Sequence, residues 1–572
     1  MKTVLRYLLP FRRRMTVGFI IKVLGTVAEL FLPMLLTHIL KNVIKTESVP
    51  QILLYGGLMI LCAAAACVLN IIANRMAARV TRNFSEQLRK DLFAKTLRLS
   101  AAQTDRYTVP SLESRITTDT YHVHNFIGMM QRMGVRAPIL LLGGIVITLL
   151  MDAHLALVMI ALLPLIFLVV YGIRRHGVPL YKGVQNAVDG MVRVVREDVQ
   201  GVRVIKALSK NEYENRRYDR VNSRLSANER HAGSVMAISN PVMTLLMNLG
   251  IIGVIALAAT RVANGSSDPE TVLAFMQYFT LLSMAMMTLS RIFGMYTKCA
   301  ASADRIAEVL NTPIDLAVKE APSATHGSAH IAFRDVSFSY TGKRNHLSHV
   351  SLALPRGGRL GIIGATGSGK STLVRLLLRF YDVSEGCIEI NGRDVASYDR
   401  ETLSAMFGVA LQNDFLYADT VAENIRFGRE ISDGALRRAA RIAQADDFIN
   451  AFPDGYDHML AQKGTNLSGG QKQRLLIARA IAADPDILIL DDSSSALDYK
   501  TDANLRLALA AELTDTTVVT VAQRVSSVKD CDLILVLEEG EVIGQGTHGE
   551  LLESCPVYRE ISDSQMGGAF VE

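Results

Sequence analysis

The chain has 572 residues, 49% of them hydrophobic and 20% charged, with a formal net charge of +6. That length exceeds a single ordinary domain. So modest a charge gives nucleic acid no footing as a partner, and its uneven placement, apolar runs first and charged segments after, implies two kinds of domain.

In chain order, Arg12, Arg13 and Arg14 come first, directly before an apolar stretch. The positive-inside rule places such residues on the cytoplasmic side, so the N-terminus is expected there. A bilayer core takes about 20 apolar residues of helix. Six stretches meet that need: 15–41, 52–78, 122–150, 153–174, 235–262 and 270–297. The first is too long for a signal-peptide core, and no small-residue cleavage site follows it. The connections 79–121 and 175–234 are long, charged and helix-patterned, and six spans put both in the cytosol. The expected product is a multi-pass protein of the cytoplasmic membrane, with the lipid bilayer as partner. Cys62, Cys67, Cys299, Cys387, Cys531 and Cys555 have no metal-ligand spacing and are expected to be reduced. Trp is absent, so any aromatic belt must use Tyr.

Several polar residues fall inside these spans. Glu29 is mid-span in the first, with Lys22 two turns earlier; Arg132 and Arg136 lie in the third and Arg291 in the sixth. Intramembrane charges face a cavity or a partner. These charges can contact a polar or anionic part of a substrate; the alternative is an internal pair for Glu29 and snorkelling for Lys22 and the arginines. Met243, Met247, Met276, Met284, Met286 and Met287 offer either an adaptable apolar binding surface or ordinary helix packing.

The segment 311–329 carries Pro313, Pro322, Ser323 and Gly327 and reads as a linker between a membrane domain over 1–310 and a second domain over 330–572. Beyond it, short β-rich runs alternate with helices, the pattern of an α/β domain with a mostly parallel sheet. Strands are expected at 331–340, 359–363, 386–391, 487–491, 517–522 and 533–537.

The stretch Gly364, Ala365, Thr366, Gly367, Ser368, Gly369, Lys370, Ser371 fits the P-loop spacing, with a strand before it and a helix over 370–380 after it. Its glycines let backbone N–H groups curl around phosphate. Lys370 supplies a charge to the terminal phosphates, Ser371 offers a hydroxyl to Mg2+, and the helix start adds a positive dipole end. Thr372 continues that helix start. Asp491 ends the apolar run 487–490, at the strand edge where open α/β sheets bind ligands, and is expected to hold Mg2+. Gln412, in a polar turn after 407–411, can reach the metal or an attacking water.

Taken together, these segments resemble ABC exporters of the half-transporter type over nearly the whole chain. Leu467, Ser468, Gly469, Gly470 and Gln471 look like the ABC signature, and Ser495-Ala496-Leu497-Asp498 like the D-loop. Residues 201–207 with Glu212 resemble the second cytoplasmic arm, and 114–117 with Asp119 the coupling region of the first. The resemblance implies an α-helical six-span transmembrane domain (type IV fold) fused to an α/β P-loop NTPase, the ABC-type nucleotide-binding domain, which is cytoplasmic. It implies ATP with Mg2+ as cofactors, Tyr340 as a stacking surface for adenine, and a head-to-tail pair of chains. Each ATP then sits between one chain's P-loop and the other's signature.

Two positions depart from the family. The residue after the Mg2+-binding aspartate is normally Glu, and here it is Asp492, whose carboxylate is withdrawn by about 1.5 Å. The switch position is normally His, and here it is Gln523, which cannot become a cation or relay a proton as imidazole does. Gln462, where many relatives have Glu, is a third and weaker departure. The family offers a matching account: a multidrug-type heterodimer with one weak and one competent ATP site. This chain would supply the weak site and lend its intact Ser468-Gly469-Gly470 to a second half-transporter carrying Glu and His. The expected cargo is a small amphipathic or drug-like compound moved outward. The alternatives are an importer on an exporter-like fold, for example for metal–siderophore complexes, a slow homodimer, and a non-transporting ATP-gated regulator.

Overall fold

A computed structural model of the chain describes residues 1–46, 48–264, 268–319, 329–412 and 414–566. They divide into two compact units: Met1–Leu97 with Thr108–Thr312, and Arg98–Tyr107 with Pro313–Glu572.

The first unit is helical: α1 (Arg12–His38), α2 (Val49–Leu97), α3 (Val109–Met151), α4 (Ala153–Gln200), α5 (Asn211–Ala237), α6 (Ser239–Ala263) and α7 (Pro269–Asn311). α3 is interrupted by π turns at Arg115–Asp119 and Met130–Gly134. Among the described residues, five helical runs are long and apolar enough to cross a membrane, where the sequence predicts six. The remaining apolar run is shorter, Ala153–Val169 at the start of α4.

The near-absence of a loop between α3 and α4 has a local cause. Asp152 is extended (φ −155°, ψ 107°), and its carboxylate accepts from the backbone N–H groups of His154 and Leu155, capping α4. α2 runs on from its apolar part into the first charged connection because Val80, Phe84, Leu88 and Leu92, four residues apart, keep one face buried. The core of the unit gathers Phe275, Tyr278, Phe279 and Leu282 of α7 with Leu30, Leu140, Leu155, Met159 and Val254. The Tyr278 hydroxyl donates to the Leu30 carbonyl at 2.7 Å.

The second unit holds two sheets. One is antiparallel, in the order β2 (Leu347–Leu354), β1 (Ile331–Phe338), β4 (Glu385–Ile390), β5 (Arg393–Asp394). The other runs β10 (Glu541–Gly546), β9 (Leu533–Glu538), β3 (Arg359–Gly364), β8 (Thr517–Val521), β7 (Ile487–Asp491), β6 (Phe407–Ala410) and is parallel except at β10. The antiparallel sheet and strands β2, β5, β6 and β10 are additions to the sequence expectation. Helix α8 (Lys370–Leu377) buries Leu373, Val374, Leu376 and Leu377 with residues of both sheets. A second core surrounds α9 (Gly469–Ile481) and includes Leu475, Leu476, Ile477 and Leu488.

Breaks isolate the short helix Ala101–Tyr107. α2 ends at Leu97, and Thr108 takes a left-handed φ of 63°. Within the second unit, Ser100 Oγ donates to Asp315 at 2.8 Å, Gln103 donates to the Pro313 carbonyl at 2.8 Å, and the Tyr381 hydroxyl donates to Asp105. The segment of the first connection that groups with this unit is therefore Arg98–Tyr107, not 114–119. Asp119 stays in the helical unit, where Ser302 and Arg305 bind its carboxylate. Of the expected linker, Pro322, Ser323 and Gly327 lie outside the described residues.

Candidate functional site

The loop 364–369 leaves β3 and enters α8, and two of its glycines, Gly364 and Gly369, have no room for a side chain. A Cβ at Gly364 would lie 2.1 Å from the Leu537 carbonyl oxygen. At Gly369, the residue before α8 with a φ of 105°, a Cβ would lie 2.8 Å from Leu347 Cδ2 and 3.0 Å from the His346 oxygen. Lys370 Nζ donates to the carbonyls of Gly364 and Ala365 at 2.7 and 2.8 Å, so its charge is held inside the loop. Burial pulls the Lys370 ammonium below its ordinary range, while Asp492 and Asp491 act the other way.

A cavity of about 700 Å³ opens on this loop. Its walls include Ala365 to Thr372, Gln412, Asp491, Asp492 and Gln523, together with Arg344, Asn345, His346, Glu538 and Glu539. Register explains the gathering: β3 pairs with β8 and β8 with β7, so the loop, Gln523 and Asp491 all follow the same ends of adjacent parallel strands. Burial pushes the Asp491 carboxyl up, and a hydrogen bond with Ser371 pulls it back.

Asp492 has a left-handed φ of 49°. Its Oδ2 accepts from the side-chain amides of both Gln412, at 3.1 Å, and Gln523, at 3.4 Å. The predicted metal-side glutamine and the two family departures thus form one cluster. Tyr340 is not on the cavity wall. Its ring packs edge-on against Phe338, His346 and Tyr381, and its hydroxyl donates to Thr372 Oγ1 at 3.3 Å. The wall at that end is Arg344, Asn345 and His346. Sequence reasoning missed them, although a polar turn directly after the first strand was visible.

The residues suit a nucleotide triphosphate with Mg2+. Ser368 Oγ is buried without a hydrogen-bond partner, in a loop shaped for a phosphate. Among the described residues no group of three or more His, Cys, Asp or Glu gathers to cage a metal alone. Ser371 and Asp491 instead offer two oxygens, the donor set of a Mg2+ ion shared with phosphates. Such an ion neutralises charge on the transferred phosphoryl group.

The signature stretch lies elsewhere and none of it lines the cavity. Ser468 caps α9 in a reciprocal box: its N–H donates to Gln471 Oε1 at 2.9 Å and its Oγ accepts from the Gln471 N–H at 3.2 Å. Gly470 approaches the D-loop, where an added Cβ would lie 3.2 Å from the Ala496 oxygen. Asp498 caps α10 (Tyr499–Glu512) by accepting from the Thr501 N–H at 2.9 Å. Gln462 opens a short turn, 462–464.

Apolar helices of membrane length, joined to a P-loop domain whose Ser-Gly-Gly helix start stands apart from its phosphate loop, define an ATP-driven membrane transporter of the ABC class. Residues 15–286 match the family described as the ABC transporter transmembrane region, and residues 347–495 the family described as ABC transporter. An uncharacterized ABC transporter ATP-binding protein of Mycobacterium tuberculosis is 33% identical over 580 residues, covering 99% of this chain and 98% of its own. The uncharacterized ABC transporter ATP-binding protein YfiB of Bacillus subtilis is 34% identical, covering 99% of each. A solved bacterial Atm1-family ABC exporter with ATP bound is similar in fold, with a TM-score of 0.80 and 26% identity over 97% of this chain and 98% of that one. The chain belongs to the ABC transporter family and has an exporter-like fold.

Proposed function

We propose that this chain is one half of a two-chain exporter of a small amphipathic compound, and that its own ATP site holds nucleotide with little hydrolysis. The observation that carries this reading is the Asp492 cluster: a shortened carboxylate whose Oδ2 is occupied by the amides of Gln412 and Gln523. A carboxylate so engaged has less capacity to accept a proton from water, and Gln523 brings no cation. Lys370, Ser371, Asp491 and the loop are present in full and would still bind ATP and Mg2+, with His346 rather than Tyr340 on the adenine side. Because Ser468 to Gln471 do not reach this chain's cavity, a second chain's signature would complete the site. This chain's signature would serve the second chain's P-loop in return. The second chain would carry Glu and His at the two departed positions. The test is ATP hydrolysis by the purified two-chain complex after the partner's glutamate is changed to Gln. Loss of hydrolysis supports the assignment, and hydrolysis that survives overturns it.

A further inference from the structure

Away from the nucleotide site, the helical unit keeps charge among apolar side chains. Lys22 of α1 is only 4% exposed, and its ammonium donates to Asn74 Oδ1 of α2 at 3.1 Å. Arg136 of α3 pairs with Glu29 of α1, its Nε lying 3.1 Å from Oε2. Arg132, one turn earlier, donates to the Gly128 carbonyl at 3.0 Å. Of the three cations only Arg136 contacts the Glu29 carboxylate, so Lys22 and Arg132 are held by neutral acceptors and the group carries more positive than negative charge. An excess of one sign at membrane depth is costly, and such residues mark paths for ions or substrates.

The π turn Met130–Gly134 contributes to two cavities, of which the smaller is lined by Arg136 and the larger by none of the four charged residues. One, of about 360 Å³, includes Gly18, Phe19, Met130 and Gln131, and Gly18 lies one turn before Lys22 on α1. The other, of about 80 Å³, includes Met133, Arg136, Leu281, Met284 and Thr288. The first reaches the size range of small-molecule sites, and the second suits a head group. π turns recur at functional positions, and thioether walls adapt to varied apolar bodies. Glu29 engages Nε and Nη2 of Arg136, which leaves Nη1 for another acceptor, and Arg136 and Thr288 line the same small cavity.

We infer that the Lys22–Glu29–Arg132–Arg136 cluster is the polar seat of the substrate path and selects amphiphiles with an anionic head, a carboxylate or sulfonate, over cationic ones. The inference rests on the transporter reading above. The test uses the whole transporter in lipid nanodiscs and two fluorescent probes matched in chain and fluorophore, dansyl-aminoundecanoate and dansyl-undecylammonium. The carboxylate probe is expected to bind at least about tenfold more tightly, a difference of about 1.4 kcal/mol. R136Q and K22Q should shrink that gap, R136K should keep it, and E29Q should widen it. Retained binding of a fluorescent ATP analogue in each variant reports that the protein is folded. Equal affinities in the unmodified protein, or a gap that survives R136Q combined with K22Q, overturn the inference. The probes are read at equilibrium without hydrolysis, so that failure leaves the slow-site assignment standing, and the reverse also holds.

Discussion

Replacing Asp492 by Glu should switch on hydrolysis at this chain's site. The added methylene carries the carboxylate about 1.5 Å further from the backbone. It thereby withdraws Oδ2 from its present position, where Gln412 and Gln523 donate at 3.1 and 3.4 Å. A misplacement of about 1 Å costs on the order of a hundredfold in rate, equivalent to about 2.7 kcal/mol of barrier. D492E should therefore raise turnover at this site on the order of a hundredfold. D492E combined with Q523H should exceed D492E alone, because imidazole removes one of the two amides and adds a group able to carry charge. The assay is phosphate release from the reconstituted complex, with the partner's glutamate changed to Gln so that the other site is silent. If D492E leaves the rate unchanged while ATP binding is intact, the shortened carboxylate is not what slows this site.

K370A should weaken binding of a fluorescent ATP analogue at this site about tenfold to a hundredfold, the worth of a charge-assisted hydrogen bond. S468A removes one half of the α9 capping box and should cost about 1 kcal/mol. It should lower hydrolysis by the complex while leaving this chain's own ATP affinity unchanged, as read by phosphate release and analogue titration. His330 is buried, with Nδ1 2.6 Å from Thr517 Oγ1, and burial chiefly holds its pKa below the ordinary 6.5. The unfolded chain then binds the extra proton first, so stability should fall as pH drops below about 6.5. Thermal unfolding of the nucleotide-binding unit across that range should show the slope, and H330Q should flatten it.

Much of the site was legible because its chemistry is local in sequence. The loop 364–371 and Asp491 at the end of β7 are each recognisable from a few adjacent residues. The meeting of Gln412, Asp492 and Gln523 was only half legible: the residues could be named singly, but their shared oxygen depends on β6, β7 and β8 lying side by side. Of the antiparallel sheet, β1 and β4 were legible singly, and β2 also carried a signal, since Val350, Leu352 and Leu354 are buried while Ser351 and Ala353 are exposed. β10 alternates exposed and half-buried residues and presents no apolar run. Arg98–Tyr107 was hidden in a long helical pattern, since only breaks near Ser100 and Thr108 separate it. The pairing of Glu29 with Arg136 spans 107 residues, and no periodicity encodes which cation a mid-span carboxylate meets.

The claim at the centre is that this chain holds ATP while its partner cleaves it. Photolabelling during turnover measures that directly, using azido-ATP radiolabelled at the γ-phosphate and separating the two chains afterwards. The γ-label is expected to stay on this chain and to be lost from the partner. Loss of γ-label from this chain, with an α-phosphate label still attached, would contradict it.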